Sequence, residues 1–296
     1  MYYSDESVVF LNGEWMKAKD ATTSLYAQTL HYGNAVFEGI RSYATEYGFS
    51  VFKAKEHYER LMYSAEKMHI KMDYSVESLV QFTYQLLEKN NLKDAYIRPL
   101  VYLDPNMSLL PVENSNVFLS AWKWDRYLGN KLLNVMISTY QRPNPKSCHV
   151  EAKVSGHYTN SILATTEAKQ KGFDEALLLD MNGFLAEGSG ANFFYEKDEV
   201  LYTPALGNIL PGITRATIMD LAGSMGYKVV EGRYKPEDLL SADAAFFTGT
   251  AAEVVGIATV NNASFRLNWE DSIGYQLSMA YQQLVVEKSY HDLLMI

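Results

Sequence analysis

The sequence predicts a two-domain protein of mixed α+β and α/β character. Residues 1–128 read as a small N-terminal α+β domain and 129–296 as a larger C-terminal domain. Strand-like and helix-like runs alternate along the chain, and 296 residues are long enough for two domains. The pattern relaxes over 125–129, ahead of the turn-rich Gln141-Arg-Pro-Asn-Pro-Lys-Ser147.

The elements follow from local pattern. In Val8-Val-Phe-Leu-Asn-Gly-Glu-Trp15 an Asn-Gly pair lies between apolar residues, a strong hairpin signal. Tyr47–Phe52 reads as the second strand of another hairpin. Tyr58, Leu61, Met62, Ala65 and Met68 recur at helix spacing, which predicts a helix over Lys55–Ile70. Val76–Lys89 repeats the pattern and stops at Asn90-Asn91. Ala95–Leu103 and Asn116–Trp122 read as buried strands. Beyond residue 130 the strands are Leu132–Thr139, Glu175–Asp180, Asn192–Glu196, Lys228–Gly232 and Ala244–Phe247. The helices there are Tyr158–Lys171, Ile213–Met225 and Ile273–Leu294.

Composition narrows the function. The net charge of -9, with no basic run, argues against nucleic acid or acidic membrane as a partner. The single cysteine, Cys148, excludes an intrachain disulfide and a thiolate metal cluster. The six histidines show no metal-binding spacing, so no metal is expected. The first residues lack a secretory pattern, and Glu253 with three glycines interrupts the apolar stretch Ala244–Val260. The expectation is a cytoplasmic enzyme acting on small molecules.

Three groups carry chemistry. Lys153 lies among small residues, Tyr158 follows five positions later, and Glu187 opens the glycine-rich Glu187-Gly-Ser-Gly-Ala-Asn192. An aldehyde cofactor acting as an electron sink needs an amine for a Schiff base, a phenol for its ring oxygen and an acid for its pyridine nitrogen. This points to pyridoxal 5′-phosphate. Leu210-Pro-Gly-Ile-Thr-Arg215 precedes a helix and offers an anion site, though alone it reads as an ordinary helix start. Phe247-Thr-Gly-Thr-Ala-Ala-Glu253 offers a second small-residue cup. Arg60 either snorkels to water or meets a buried anion. Arg98, inside an apolar strand, meets either a substrate carboxylate or a structural salt bridge.

Taken together and in order, these motifs closely resemble the branched-chain amino acid aminotransferases, class IV (fold-type IV) enzymes that depend on pyridoxal phosphate. The matching elements are His31-Tyr-Gly with Val36-Phe-Glu-Gly-Ile-Arg41, Glu56-His-Tyr-Glu-Arg-Leu61, Tyr96-Ile-Arg-Pro-Leu100, Ala152-Lys153 with Tyr158, Glu187-Gly-x-Gly, Leu210–Arg215 and Gly249-Thr-Ala-Ala-Glu253. The resemblance implies a C-terminal domain built on a β-barrel-like sheet. It implies that Lys153 forms the Schiff base and moves the proton. Tyr158 would bond the phenolic oxygen and Glu187 the pyridine nitrogen. Arg60, Thr250 and the amides of Ile213 and Thr214 would hold the phosphate, with Leu210 supporting the ring. Tyr96 and the amides of Thr250 and Ala251 would take the α-carboxylate, and Arg98 the γ-carboxylate of glutamate. Phe37, Trp124 and Tyr158, with Tyr32 and the Met107–Leu109 loop of a neighbouring subunit, would form the apolar pocket. A homodimer or higher homo-oligomer is implied.

The implied reaction is transamination between L-leucine, L-isoleucine or L-valine and 2-oxoglutarate. One departure stands out: Ala191 occupies a position where many members carry a second Glu. Two alternatives share the fold. A D-amino acid or (R)-amine transaminase would turn over D-alanine or an (R)-amine faster than L-leucine, and an aminodeoxychorismate lyase would form 4-aminobenzoate.

Overall fold

A computed structural model describes residues 2–110, 113–124, 128–129 and 131–287. The chain divides into two compact units, one of Met1–Asp125, Ala152–His157 and Val285–Ile296, the other of Arg126–Glu151 and Tyr158–Leu284.

The first unit is a seven-stranded sheet with helices on it. Its elements are β1 (Val8–Leu11), β2 (Glu14–Lys17), α1 (Gln28–Tyr32), β3 (Ala35–Phe37), β4 (Ile40–Thr45), β5 (Gly48–Val51), α2 (Ala54–Lys67), α3 (Val76–Lys89), β6 (Ala95–Leu103) and β7 (Ser115–Trp122). The strand order is β2-β1-β7-β6-β4-β5, and β3 also pairs with β6. Asn12 and Gly13 turn the first hairpin with φ of 52° and 94°, the left-handed region that Asn-Gly tolerates. Ser75 caps α3, its hydroxyl accepting from Ser78 N–H. The core gathers Phe10, Val36, Ile40, Tyr58, Leu61, Leu79, Leu86, Ile97 and Leu119.

One edge of β6 pairs first with β4, at Ile40 opposite Ile97, and then with β3, at Phe37 opposite Leu100. Glu38 and Gly39 bridge the two strands. Glu38 N–H donates to Pro99 O at 2.9 Å. A residue's N–H and C=O point to the same side of a strand, so Pro99 lacks its donor where the partner chain bends. That makes a proline tolerable inside a central strand.

The segment carrying Lys153 packs with this unit. Ala152 and Val154 are 3% and 2% exposed and belong to its core, and Val36 forms a bridge with Val154. A Cβ built on Gly33 would come 2.9 Å from Gly156 Cα, and Gly156 N–H donates to Gly33 O at 3.1 Å. Only two glycines allow the backbones to close this tightly.

The second unit contains β8 (Leu133–Gln141), α4 (Tyr158–Gln170), β9 (Glu175–Leu179), β10 (Leu185–Gly188), β11 (Asn192–Lys197), β12 (Val200–Pro204), α5 (Ile213–Ser224), β13 (Lys228–Gly232), β14 (Ala244–Gly249), β15 (Glu253–Val260), β16 (Ala263–Ser264) and α6 (Ile273–Val286). The order β10-β9-β8-β15-β14-β11, with β10 also pairing β11, closes a six-stranded barrel, as the β-barrel expectation required. Closure removes the free edges of these strands. Alternation fills the inside with Val135, Leu177, Phe193, Tyr195, Phe247 and Val255. Phe194 and Phe246, on the other face, stack at 5.0 Å and are fully buried. α4 crosses between the parallel strands β8 and β9, and α5 between the parallel β12 and β13.

The predicted helices and strands are present with boundary shifts of a few residues, and the part of the last helix beyond residue 287 lies outside the described residues. The helix α1 and the strands β10, β12, β15 and β16 were not foreseen. Each is short or merges into an apolar run without clear alternation.

Candidate active site

In the first unit, Lys153 is half-buried and held by backbone contacts. Its N–H donates to Ser64 Oγ at 3.0 Å, and its carbonyl accepts from Phe37 N–H at 3.1 Å. Because Ala152 and Val154 point into the core, the lysine side chain takes the opposite face. Its Nζ lies 5.1 Å from the centre of the Phe37 ring.

Arg98 approaches the same ring. Its Cζ is 4.6 Å from the Phe37 centroid and 5.4 Å from that of Tyr96, and its Nη2 donates to Tyr96 OH at 3.1 Å. Among the described residues no carboxylate pairs with it, and its buried Nε lacks an acceptor. Among the described residues, the structural salt bridge left open by the sequence is therefore not formed. Tyr96 is 4% exposed and packs against Trp122 and Trp124 at 5.2 and 4.8 Å. Arg41 donates to the Trp124 carbonyl, fixing that residue beside Tyr96.

Arg60 meets a buried anion within the protein. Its Nε and Nη2 donate to Glu38 Oε1 and Oε2 at 2.6 and 2.9 Å, and His57 Nδ1 lies 2.8 Å from Glu38 Oε2. Tyr32, Met107 and Leu109 are 47%, 55% and 84% exposed. Tyr32 OH donates to Met107 O at 3.2 Å, and Gln28 Nε2 donates to Ser108 O and Leu110 O at 2.8 Å each, so α1 and this loop form one piece.

In the second unit, Tyr158 is the first residue of α4. Glu187 is 5% exposed and ringed by donors. Asn192 Nδ2 donates to its Oε2 at 3.0 Å and Leu210 N–H to its Oε1 at 3.1 Å. Arg142 Nε lies 3.0 Å from Oε1 as an ion pair, its N–H not aligned on the oxygen. Asn192 Nδ2 also donates to Leu210 O at 2.9 Å, so both polar groups of the Leu210 backbone are fixed. Helix α5 then begins after Gly212, with Ile213 and Thr214 in its first turn, where N–H groups have no partner inside the helix. A Cβ on Gly212 would lie 1.8 Å from Asn192 Oδ1. Arg215 of the same motif serves structure: it is 4% exposed and bonds Glu231, Pro204 O and Thr203.

Thr250 and Ala251 occupy the tight turn between β14 and β15, which pair at Gly249 opposite Glu253. Glu253 closes the turn with φ of 57°, an uncommon conformation for a residue with a side chain. Ala191 is 9% exposed and packs into the apolar barrel core.

Sequence reasoning assigned nothing to Glu38, His57, Ser64 or Arg142. Glu38 and His57 stood inside quoted motifs, and their helix or strand context could have marked them as buried charge. Arg142 stood in a turn-rich stretch and gave no local signal. Among the described residues no group of His, Cys, Asp or Glu could hold a metal.

The residues fit pyridoxal 5′-phosphate. They supply a lysine whose backbone is held on both sides, a buried acid that accepts from Asn192 and Leu210 and pairs with Arg142, and a helix start whose glycine admits Asn192 against it.

Comparisons with known proteins agree. The family model for amino-transferase class IV matches residues 35–260. A branched-chain-amino-acid aminotransferase of Pseudomonas aeruginosa is 39% identical over 290 residues, covering 96% of this chain and 94% of that one. The branched-chain aminotransferase of Thermoproteus uzoniensis, solved with norvaline, superposes with a TM-score of 0.92 at 34% identity, covering 97% of each chain. The T.th. branched-chain amino acid aminotransferase, complexed with N-(5′-phosphopyridoxyl)-L-glutamate, gives 0.91 at 33%, covering 97% of this chain and 96% of that one. With the family matched over most of its length and its solved relatives superposing at TM-scores of 0.91 and 0.92, the chain belongs to the class IV, pyridoxal-phosphate-dependent aminotransferases, among the branched-chain amino acid aminotransferases.

Proposed function

We propose that the chain transfers the amino group of L-leucine, L-isoleucine or L-valine to 2-oxoglutarate, giving the branched-chain 2-oxo acid and L-glutamate. The observation that carries this reading is the Phe37 ring, which has the Lys153 amine at 5.1 Å and the Arg98 guanidinium at 4.6 Å. An apolar side chain can lie on such a ring, and a side-chain carboxylate can reach the guanidinium fork beside it. The norvaline and phosphopyridoxyl-L-glutamate complexes of the relatives support both halves.

When bound, pyridoxal 5′-phosphate supplies the aldehyde and the electron-withdrawing ring that spreads negative charge away from a substrate Cα. The chain supplies position and protons. Lys153 would hold the aldehyde carbon and would move the proton at a substrate Cα. Glu187 accepts from the pyridine N–H, Tyr158 donates to the phenolic oxygen, and Leu210 supports the ring. Arg60, Thr250 and the N–H groups of Ile213 and Thr214 hold the phosphate. Tyr96 and the N–H groups of Thr250 and Ala251 bind the α-carboxylate, and Arg98 the γ-carboxylate. Phe37, Trp124 and Tyr158 wall the side chain.

The active form is read as a homodimer in the cytoplasm. No helix among the described residues is long and apolar enough to cross a membrane. Leu25, Tyr26, Leu30, Tyr32, Leu109 and Leu110 are all more than 45% exposed, along α1 and the loop tied to it. Such exposed apolar surface supports a partner subunit there. Light scattering on the purified protein should give twice the chain mass of 33.5 kDa.

The test is an assay of purified protein loaded with cofactor, with L-leucine and 2-oxoglutarate. Formation of L-glutamate, lost in Lys153→Ala, is expected. Faster turnover of D-alanine or an (R)-amine would replace the substrate reading.

A further inference from the structure

The interior of the first unit holds a charged cluster of which the proposed roles use only Arg60. Glu38 is fully buried and His57 is 1% exposed. The Arg60 side chain is 11% exposed and grips Glu38 through two nitrogens, at 2.6 and 2.9 Å. His57 adds a third contact at 2.8 Å, and Gly39 N–H a fourth at 3.2 Å. His57, Arg60 and Ser64 recur on α2 at spacings of three and four, so they share one stripe of the helix.

Burying a carboxylate costs stability unless partners compensate it. Burial is the largest influence and pushes the Glu38 carboxyl up, but Arg60 and His57 together, through charge and hydrogen bonds, outweigh it and hold the carboxyl well below the usual range. Burial pushes the His57 imidazole down, with Glu38 opposing only in part. His57 is therefore neutral near pH 7 and donates its Nδ1–H to Glu38. The carboxylate engages one edge of the guanidinium, Nε with Nη2, and so fixes its plane and rotation.

We propose that Glu38 and His57 are positioning residues for Arg60, setting its guanidinium so that the protein selects the phosphorylated cofactor over its unphosphorylated form. This rests on the reading that Arg60 meets the phosphate. A long arginine side chain loses conformational freedom on binding an anion, and a buried, doubly bonded one has already lost it. Cluster and phosphate are then linked: disturbing Glu38 loosens Arg60 without touching the aldehyde end of the cofactor.

The test uses protein stripped of cofactor and titrated with pyridoxal 5′-phosphate and with pyridoxal, following absorption as each links to Lys153. The readout is the ratio of the two dissociation constants, which a purely structural role would leave unchanged. Glu38→Gln should lower the preference for the phosphorylated form about tenfold or more, by loss of charge-assisted hydrogen bonds. His57→Leu removes only the outer donor, leaves the Arg60–Glu38 pair balanced, and should lower it about threefold. Arg60→Ala is the reference. If Arg60→Ala lowers the ratio while Glu38→Gln and His57→Leu leave it unchanged, the positioning role is overturned. If Arg60→Ala itself leaves it unchanged, the phosphate reading fails instead. Should Glu38→Gln not fold, His57→Leu decides: a lowered ratio supports the proposal, and an unchanged one overturns it.

Discussion

Arg142 Nε lies 3.0 Å from Glu187 Oε1, and both side chains are more than nine-tenths buried. The acid proposed to meet the pyridine nitrogen is thus balanced by a charge from the end of β8. Removing the cation alone leaves a buried carboxylate without its charge partner. Arg142→Met is expected to lower stability by about 3 kcal/mol, read from urea denaturation. A loss below about 1 kcal/mol would mean the pair behaves like an exposed one.

Gly212 gives a steric prediction. Its missing Cβ is the space taken by Asn192 Oδ1, 1.8 Å from where that atom would sit. Asn192 in turn bonds Glu187 and Leu210 O. Gly212→Ala should displace Asn192, cost about 1–3 kcal/mol in stability, and weaken cofactor binding. Unchanged cofactor affinity and thermal midpoint would show that the helix start adapts freely.

Arg98 predicts an asymmetry between substrates. The guanidinium lies against two rings and pairs with no carboxylate among the described residues. Arg98→Met should raise KM for 2-oxoglutarate roughly 10- to 100-fold and leave KM for L-leucine nearly unchanged. Equal effects on both would place Arg98 in general packing rather than carboxylate recognition.

Legibility of the sequence tracked how local each signal was. Lys153, Tyr158 and Glu187 could be read because one cofactor demands three unlike groups. Turn chemistry gave Asn12-Gly13, and helix period gave α2 and α3. Barrel closure depends on β10 pairing with both β9 and β11, and four residues carry no periodicity that reveals this. Arg60 was read as snorkelling or anion-bound, and the choice was settled by Glu38, 22 residues away. Arg142 meets Glu187 across 45 positions of chain. Long-range ion pairs of this kind leave no local pattern.

Glu175 predicts a pH effect on stability. It is 2% exposed, and burial pushes its carboxyl up, only partly offset by donors from Ser189 and Ala176. A raised folded pKa means the favourable contribution is full below the unfolded value, about 4.3, and is lost as pH rises through the folded one. Glu175→Gln keeps the accepting oxygen and removes the charge. Its thermal midpoint relative to the parent should improve from pH 5 to pH 8. A difference that stays constant over that range would contradict the buried-charge account.

The central claim is that Lys153 holds pyridoxal 5′-phosphate for L-branched-chain substrates. The most direct measurement is the visible absorption spectrum of purified protein with the cofactor, before and after L-leucine, beside Lys153→Ala. The account predicts a visible band for the lysine-linked cofactor that L-leucine bleaches and that Lys153→Ala lacks. A band unmoved by L-leucine, or one that persists without Lys153, would contradict it.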